Sequence, residues 1–380
     1  MSDVIAICDL EKKYGSYTAL SGLDLNVHPG EVYGFLGRNG AGKSTTIRIL
    51  MGITQPSAGE VRLFGERFDR DLVRLRQRIG YVAQEQSFYG WMNPKEMSRF
   101  IKGFFPTWDE SEWTRVVKIL DLPLDRKIQG FSGGMRVKLA LALALAHRPE
   151  LLLLDEPTAG LDPVARREFL DIVREEARGR TTFFSTHLID EIELVAKRVG
   201  VVDAGKTKFE GSVEALGARV RLFRLPLTDS PDAMCARWIP WLTSQGVRVA
   251  HVEVRDGVLR MMLEHANPAA FDGIENIDSY RDAGGPKLET VPLEEAFIAI
   301  VRQSQPVSPQ LAPSQPINLQ LAASQLAASQ YVSPQLAPTE HVSSERAPNQ
   351  LAPMEHASQE LAPTERASSP TPQEPPSEGA

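Results

Sequence analysis

A glycine-rich stretch near the start of the chain has the residue types and spacing that bind phosphate. Gly37 and Gly42 are separated by four residues, and Lys43 and Ser44 follow directly. A run rich in Val, Tyr and Phe, which indicates a strand, precedes this loop, and a run with helical spacing follows it. The backbone N–H groups of such a loop bind an anion at the positive end of the helix dipole. Lys43 would reach the β- and γ-phosphates, and the Ser44 hydroxyl would hold Mg²⁺.

A second set of chemical groups follows a leucine run. Residues 151–154 are four leucines, and Asp155 and Glu156 come directly after them. A buried strand that carries an acidic pair at its carboxyl end is the other half of a nucleoside-triphosphate site. We expect Asp155 to hold Mg²⁺, directly or through water, and Glu156 to polarise a water molecule for in-line attack on the γ-phosphate. The sequence therefore predicts a P-loop NTPase that uses Mg²⁺.

A third loop, at residues 130–136, places Ser132, Gly133 and Gly134 at the start of a predicted helix. This arrangement predicts a second anion-binding helix terminus. One active site hardly needs two phosphate loops, but two copies of the chain facing head to tail would use both. Each nucleotide would then lie between the P-loop of one copy and residues 132–134 of the other.

In this order and spacing, the motifs over residues 4 to about 217 resemble the ATP-binding subunit of an ABC transporter. The resemblance implies ATP and Mg²⁺ as cofactors, a second ATPase subunit (a homo- or heterodimer) and a transmembrane permease as partner. It also implies that Tyr14 stacks on adenine and that Asp162 lies at the dimer seam. Gln84 would contact Mg²⁺ and the attacking water, and His187 would contact the γ-phosphate.

The implied site is therefore large. The predicted nucleotide-binding residues are Tyr14, Gly37, Arg38, Asn39, Gly40, Ala41, Gly42, Lys43, Ser44, Thr45, Ser132, Gly133, Gly134 and Asp162. The predicted catalytic residues are Gln84, Glu156 and His187, and the predicted Mg²⁺ ligands are Ser44, Gln84 and Asp155.

The loop at residues 130–136, which corresponds to the family's signature, departs from its commonest form. Phe131 and Met135 flank the Ser-Gly-Gly, where Leu and Gln are commoner in the family. These two residues, together with residues 185–216 and 292–297, are similar to the ATPases of the ABC-2 exporter group. That resemblance implies export through a separate membrane permease.

Two other functions make predictions that the sequence can test. A soluble ABC ATPase acting in translation or DNA repair predicts two cassettes, a coiled-coil insert or a basic patch, and the sequence shows none of them. An interaction protein with a degenerate cassette predicts lost catalytic residues, yet Lys43, Asp155, Glu156 and His187 are all present. The transporter subunit is the better interpretation.

The nucleotide-binding part is predicted to be an α/β domain over residues 1–217, with a helical subdomain at about 90–148. Asn93 with Glu96, and Thr107 with Glu110, have the spacing of helix-capping boxes. Residues 138–147 alternate Leu and Ala, a strand-like period. Because Ala and Leu are strong helix formers, we interpret this run as a buried helix.

The remaining chain divides into two predicted parts. Residues 218–303 form a small α+β accessory domain, with a hairpin at Asp256-Gly257 and an amphipathic helix over 292–303. Residues 304–380 hold 13 of the 27 prolines, and every fifth residue from 310 to 365 is Gln or Glu. This composition predicts a disordered, extended tail. A repeat solenoid is the alternative, but it needs a recurring apolar face.

Charge and hydropathy restrict the partners. The chain has 42 Lys+Arg and 49 Asp+Glu, a net charge of −7, and residues 304–380 contribute −5 through seven glutamates and two arginines. The other residues therefore carry only −2, which argues against a nucleic-acid partner. The first residues lack a basic region followed by an apolar one, so we expect no signal peptide, and no apolar run approaches ~18 residues. We expect a cytoplasmic protein that is peripheral on the inner face of the membrane through the permease.

Overall fold

The computed structural model describes residues 2–67, 72–271, 274 and 286–302. The strands are β1 (Ile5–Tyr14), β2 (Tyr17–Val27), β3 (Val32–Gly37), β4 (Ala58–Leu63), β5 (Glu66–Arg67), β6 (Ile79–Val82), β7 (Leu151–Asp155), β8 (Thr181–Thr186), β9 (Arg198–Asp203), β10 (Lys206–Ser212), β11 (Val220–Pro226), β12 (Arg248–Arg255), β13 (Val258–Glu264) and β14 (Lys287–Thr290). The helices are α1 (Lys43–Leu50), α2 (Leu72–Gln77), α3 (Pro94–Lys102), α4 (Glu110–Ile119), α5 (Gly133–Leu145), α6 (Pro163–Glu176), α7 (Ile189–Val195), α8 (Val213–Ala218), α9 (Pro231–Ser244) and α10 (Leu293–Val301).

A six-stranded sheet in the order β10-β9-β3-β8-β7-β6 forms the centre of the fold. Strands β9, β3, β8, β7 and β6 are parallel, and β10 pairs antiparallel at the edge. Every residue of β7 and β8 is buried, as expected of parallel strands covered on both faces. Because the carboxyl ends of parallel strands share one edge, the loops after β3, β6, β7 and β8 emerge together there. The predicted α/β P-loop fold is confirmed.

A second, antiparallel sheet in the order β2-β1-β4-β5 packs over α1. Ile47 and Leu50 of α1 share one buried cluster with Leu20 of β2 and with Tyr33 and Phe35 of β3. The helix that follows the P-loop is therefore enclosed between the second sheet and the central one, which fixes its amino terminus at the sheet edge.

Three helices, α3, α4 and α5, form the helical region predicted from the caps. The capping box of Asn93 and Glu96 is present at the start of α3. The box predicted from Thr107 and Glu110 is wrong, because the cap of α4 is Asp109. The Asp109 carboxylate accepts hydrogen bonds from the N–H groups of Ser111 and Glu112, so the acceptor lies two residues later than the pattern indicated.

The Leu/Ala run lies in α5, a helix with eight buried residues, so the helical interpretation is confirmed. The alternation of Leu and Ala fits a helix that is apolar all round and packed on several sides. Leu139, Leu141 and Leu145 are fully buried in the cluster that joins α4, α5 and the central sheet.

A third, antiparallel sheet in the order β12-β13-β11-β14 contains the predicted hairpin. Asp256 and Gly257 both have positive φ, 51° and 72°, as a tight hairpin turn requires. Helix α9 packs on this sheet, where Trp238 and Leu242 join Phe223 and Met261 in one cluster.

The last described helix, α10, confirms the helix predicted near residue 292. It packs against β9 and α7 of the nucleotide-binding part and also against β11, β12 and β13. The boundaries 1–217, about 90–148 and 218–303 remain predictions. The predicted tail, residues 304–380, lies outside the described residues.

Among the residues that the structure describes, every helix is too short or too polar to span a bilayer.

Candidate nucleotide site

The P-loop leads from β3 into α1 with a backbone that requires glycine. Gly40 and Gly42 have φ values of 80° and 109°, which side chains disfavour. A Cβ atom on Gly42 would lie 2.6 Å from the Leu20 Cδ2 atom and 3.0 Å from the Ala19 carbonyl oxygen. Gly42 also forms the cap of α1, so its position brings the free N–H groups of the first helical turn to the loop.

Lys43 is the buried cation of the site. Its side chain is 3% exposed, and Nζ lies 3.0 Å from the Oε1 atom of Glu156. The same Nζ donates to the carbonyl oxygens of Gly37 at 2.8 Å and Arg38 at 3.1 Å. The ammonium group is therefore held by oxygen acceptors inside the loop, which is the arrangement that a phosphate oxygen can take over.

Glu156 lies just beyond β7 in a strained conformation, with φ of 42°. Its backbone N–H donates to Ser185, to the carbonyl oxygen and to Oγ, both at 3.1 Å. Its Oε2 atom lies 3.0 Å from the Nδ1 atom of His187. Burial raises the pKa of Glu156, but the His187 hydrogen bond and the Lys43 charge outweigh it and lower the pKa to about 2. The carboxylate is therefore ionised at neutral pH.

Asp155 ends β7 beside the P-loop. Its Oδ1 atom accepts hydrogen bonds from the hydroxyls of Ser44 at 3.2 Å and Ser185 at 2.9 Å. Burial raises the pKa of Asp155, while these two hydroxyls lower it, and the net direction is upward. A carboxylate and a hydroxyl in contact are hard oxygen ligands, so Asp155 and Ser44 would suit Mg²⁺.

The other predicted residues lie at several places. Gln84 is exposed, two residues beyond β6, at the same edge of the sheet as Asp155. Tyr14 ends β1 and is exposed, with the Lys12 Nζ atom 4.8 Å from its ring centroid. In the loop itself Arg38 and Asn39 are exposed, whereas Ala41 is buried.

The signature loop and the Asp162 loop lie side by side. Ser132 caps α5 and accepts a hydrogen bond from the Met135 N–H at 3.2 Å. A Cβ atom on Gly134 would lie 3.8 Å from atoms of Leu161 and Ala165, next to Asp162. Asp162 caps α6 by accepting from the N–H groups of Val164 and Ala165, both at 3.0 Å. Asp162 therefore stabilises the start of α6. Its implied place at a dimer seam remains a prediction.

The sequence reasoning missed Ser185 as a member of the site. Ser185 is paired with Asp155 across the β7–β8 register and contacts both Asp155 and Glu156. The available signal was the polar triplet Ser185, Thr186 and His187 directly after Phe183 and Phe184.

Comparisons with known proteins agree with this geometry. Residues 20–159 match the family model described as ABC transporter. Over 267 residues the chain is 36% identical to the bacitracin transport ATP-binding protein BcrA of Bacillus licheniformis, an alignment that covers 69% of this chain and 85% of BcrA. It is 35% identical over 222 residues to the Nod factor export ATP-binding protein I of Cupriavidus metallidurans, covering 57% and 73% of the two chains. A solved ATP-binding subunit of an ABC transporter superposes with a TM-score of 0.52 at 26% identity, over 56% of this chain and 91% of that one.

Proposed function

The chain belongs to the ATP-binding proteins of ABC transporters and is an ATPase, and from that premise we propose that two such subunits enclose two ATP molecules and power export through a separate membrane permease. The permease holds the protein at the inner face of the membrane. The name of one relative, the Nod factor export ATP-binding protein I, supports export as the direction of transport.

The proposal that a permease binds this protein is supported by an exposed group of aromatic side chains. Tyr89, Trp91, Phe100 and Phe104, here called the aromatic surface, are 53%, 63%, 44% and 59% exposed. Their rings contact one another in a chain, with centroid distances of 5.9, 5.9 and 5.4 Å. A contiguous exposed apolar patch of this kind is typical of a protein–protein interface, where aromatic residues are enriched.

The aromatic surface is connected to the Gln84 loop and to the signature loop. It begins five residues after Gln84 and continues onto α3. The loop between Gln84 and α3 is joined by two backbone hydrogen bonds to the segment that precedes the signature loop. The Gln129 N–H donates to the Gly90 carbonyl at 3.0 Å, and the Ile128 N–H donates to the Met92 carbonyl at 2.9 Å. A partner that moves the aromatic surface therefore also moves the start of α5, where Ser132 lies.

The site's own residues account for hydrolysis. The ionised Glu156 carboxylate accepts a proton from the attacking water once the γ-phosphate has replaced it as the counter-ion of Lys43. His187 holds the carboxylate through Nδ1 and presents its other ring nitrogen to the phosphate. Asp155 and Ser44, with Gln84 nearby, would hold Mg²⁺, which would supply positive charge against the phosphate oxygens.

Two measurements test the proposal. The chain carrying Glu156→Gln, incubated with ATP and Mg²⁺, is expected to sediment as a dimer and without nucleotide as a monomer. A single species of monomer mass under both conditions overturns the dimer.

The second measurement concerns the permease. A tagged chain is purified from detergent-solubilised membranes of its own host, and the co-purifying integral membrane protein is reconstituted with it in vesicles. Trp91→Ala/Phe104→Ala is expected to abolish both co-purification and stimulation of ATP turnover. Ile119→Ala, an exposed apolar residue on α4, is the control that retains both. Wild-type behaviour of the double variant overturns the docking surface.

A further inference from the structure

Glu191 is a buried carboxylate that the proposed mechanism does not use. It lies in the first turn of α7, four residues after His187, and is 1% exposed. Each of its oxygens accepts one hydroxyl hydrogen bond: Oε1 from Thr158 and Oε2 from Thr186, both at 2.6 Å. Short bonds to a buried carboxylate are charge-assisted and strong, so this bridge is a fixed feature of the fold.

The two threonines belong to the two loops that carry the reacting groups. Thr158 lies two residues after Glu156, in the loop between β7 and α6. Thr186 directly precedes His187, and its Oγ1 also accepts the Leu188 N–H at 3.0 Å. The Glu191 carboxylate thus joins a point on the Glu156 loop to a point on the His187 loop, and the side chains of Glu156 and His187 are themselves in contact at 3.0 Å.

The Glu156 loop is consequently bonded to the segment from β8 to α7 at two points, one before its turn and one after it. Before the turn, the Glu156 N–H is bonded to Ser185 on β8. After the turn, Thr158 is bonded to Glu191. The strained φ of Glu156 lies between these two attachments, and such strain persists only where the surroundings over-determine it.

Among the described residues, Glu191 forms only a long ion pair, with Arg166. The Nε atom of Arg166 on α6 lies 3.7 Å from Oε1, beyond hydrogen-bond length. The threonine hydroxyls therefore supply the short contacts, and the geometry of the bridge depends on the three side chains rather than on an ion pair.

We propose that Glu191 is a positioning residue that fixes Glu156 and His187 relative to each other through Thr158 and Thr186. The inference rests on the proposed roles of Glu156 and His187 in hydrolysis. Without the bridge, both loops keep their strands but lose their common attachment, and the position of the Glu156 carboxylate relative to the His187 imidazole is no longer fixed.

The test is ATP turnover by full-length variants. Glu191→Ala is expected to lower kcat about 10- to 100-fold, because displacing a catalytic group by about 1 Å costs this much, while KM for ATP changes little. Glu191→Gln, whose amide can accept from one threonine and donate to the other, is expected to restore most of kcat. Glu193→Ala, an exposed carboxylate on the same helix, is the matched control and should behave as wild type.

The readouts separate positioning from other roles. In the Glu156→Gln background, Glu191→Ala should cause little further loss, because both changes act on one group. A Glu191→Gln variant as slow as Glu191→Ala overturns the inference, since restoring hydrogen bonds to the two threonines would then not restore kcat. Wild-type kcat in Glu191→Ala also overturns it while leaving the proposed function intact. Full turnover by Glu156→Gln alone would instead overturn the proposed function.

If Glu191→Ala does not fold, Thr158→Val and Thr186→Val replace it, since each removes one hydroxyl with little change in volume. Each is expected to lower kcat with unchanged KM. Wild-type kcat in both single variants and in the double variant overturns the proposal.

Discussion

Replacing Glu156 with Gln removes one negative charge from the site and leaves the side-chain size unchanged. If Glu156 is the base, turnover should fall by about 10²- to 10⁴-fold, the usual contribution of a positioned general base. ATP should bind at least as tightly as before, because Lys43 loses the carboxylate that lies 3.0 Å from it and retains its two carbonyl contacts. Rate and affinity are thus predicted to change in different directions.

The same substitution should destabilise the nucleotide-free protein. The pKa of Glu156 is lowered from its ordinary value of 4.5 to about 2. At 1.36 kcal/mol per pKa unit, ionised Glu156 contributes about 3 kcal/mol to the free energy of unfolding at pH 7. Because the folded-state pKa is the lower one, this contribution is complete above pH 4.5 and is lost as the pH falls towards 2. The stability difference between wild type and Glu156→Gln should shrink over that window.

Urea unfolding at pH 7 and at pH 3, isothermal calorimetry with ATP and a steady-state phosphate-release assay measure these three quantities. Hydrolysis near the wild-type rate would remove Glu156 from the role of base. An unfolding free-energy difference that stays constant between pH 7 and pH 3 would refute the assigned pairing with Lys43 and His187.

Three further predictions address other parts of the chain. Lys43→Ala should weaken ATP binding itself, because the β- and γ-phosphates lose their counter-ion, and unchanged affinity by calorimetry would contradict the P-loop assignment. Ser185→Ala should raise the Mg²⁺ concentration for half-maximal turnover about 10- to 100-fold, as loss of a group that orients a metal ligand does, and an unchanged Mg²⁺ titration would count against it. Deleting residues 304–380 should leave melting temperature and ATP turnover unchanged, because few aromatic or apolar contacts can be lost; a drop of several degrees would show that the tail packs on the rest.

The sequence by itself determined the chemistry of the site and the order of its parts. The glycine loop, the acidic pair after a leucine strand and the histidine after a strand are local patterns, and each local pattern specifies its own strand, loop and helix. Because parallel strands end at one edge, the meeting of Lys43, Asp155 and His187 could be expected without coordinates. Local turn chemistry likewise sufficed for the hairpin at Asp256-Gly257.

Only the tertiary structure decided which side chains contact one another. The Lys43–Glu156 pair spans 113 residues of sequence, and the bridge from Thr158 to Glu191 spans 33. Contacts over such separations depend on the register between β3, β8 and β7 and on how α7 packs. No local sequence pattern specifies the strand register or the packing of α7. The cap of α4 shows the same limit at short range: Thr107 and Asp109 both precede that helix, and the packed chain places the Asp109 carboxylate at its first free N–H groups.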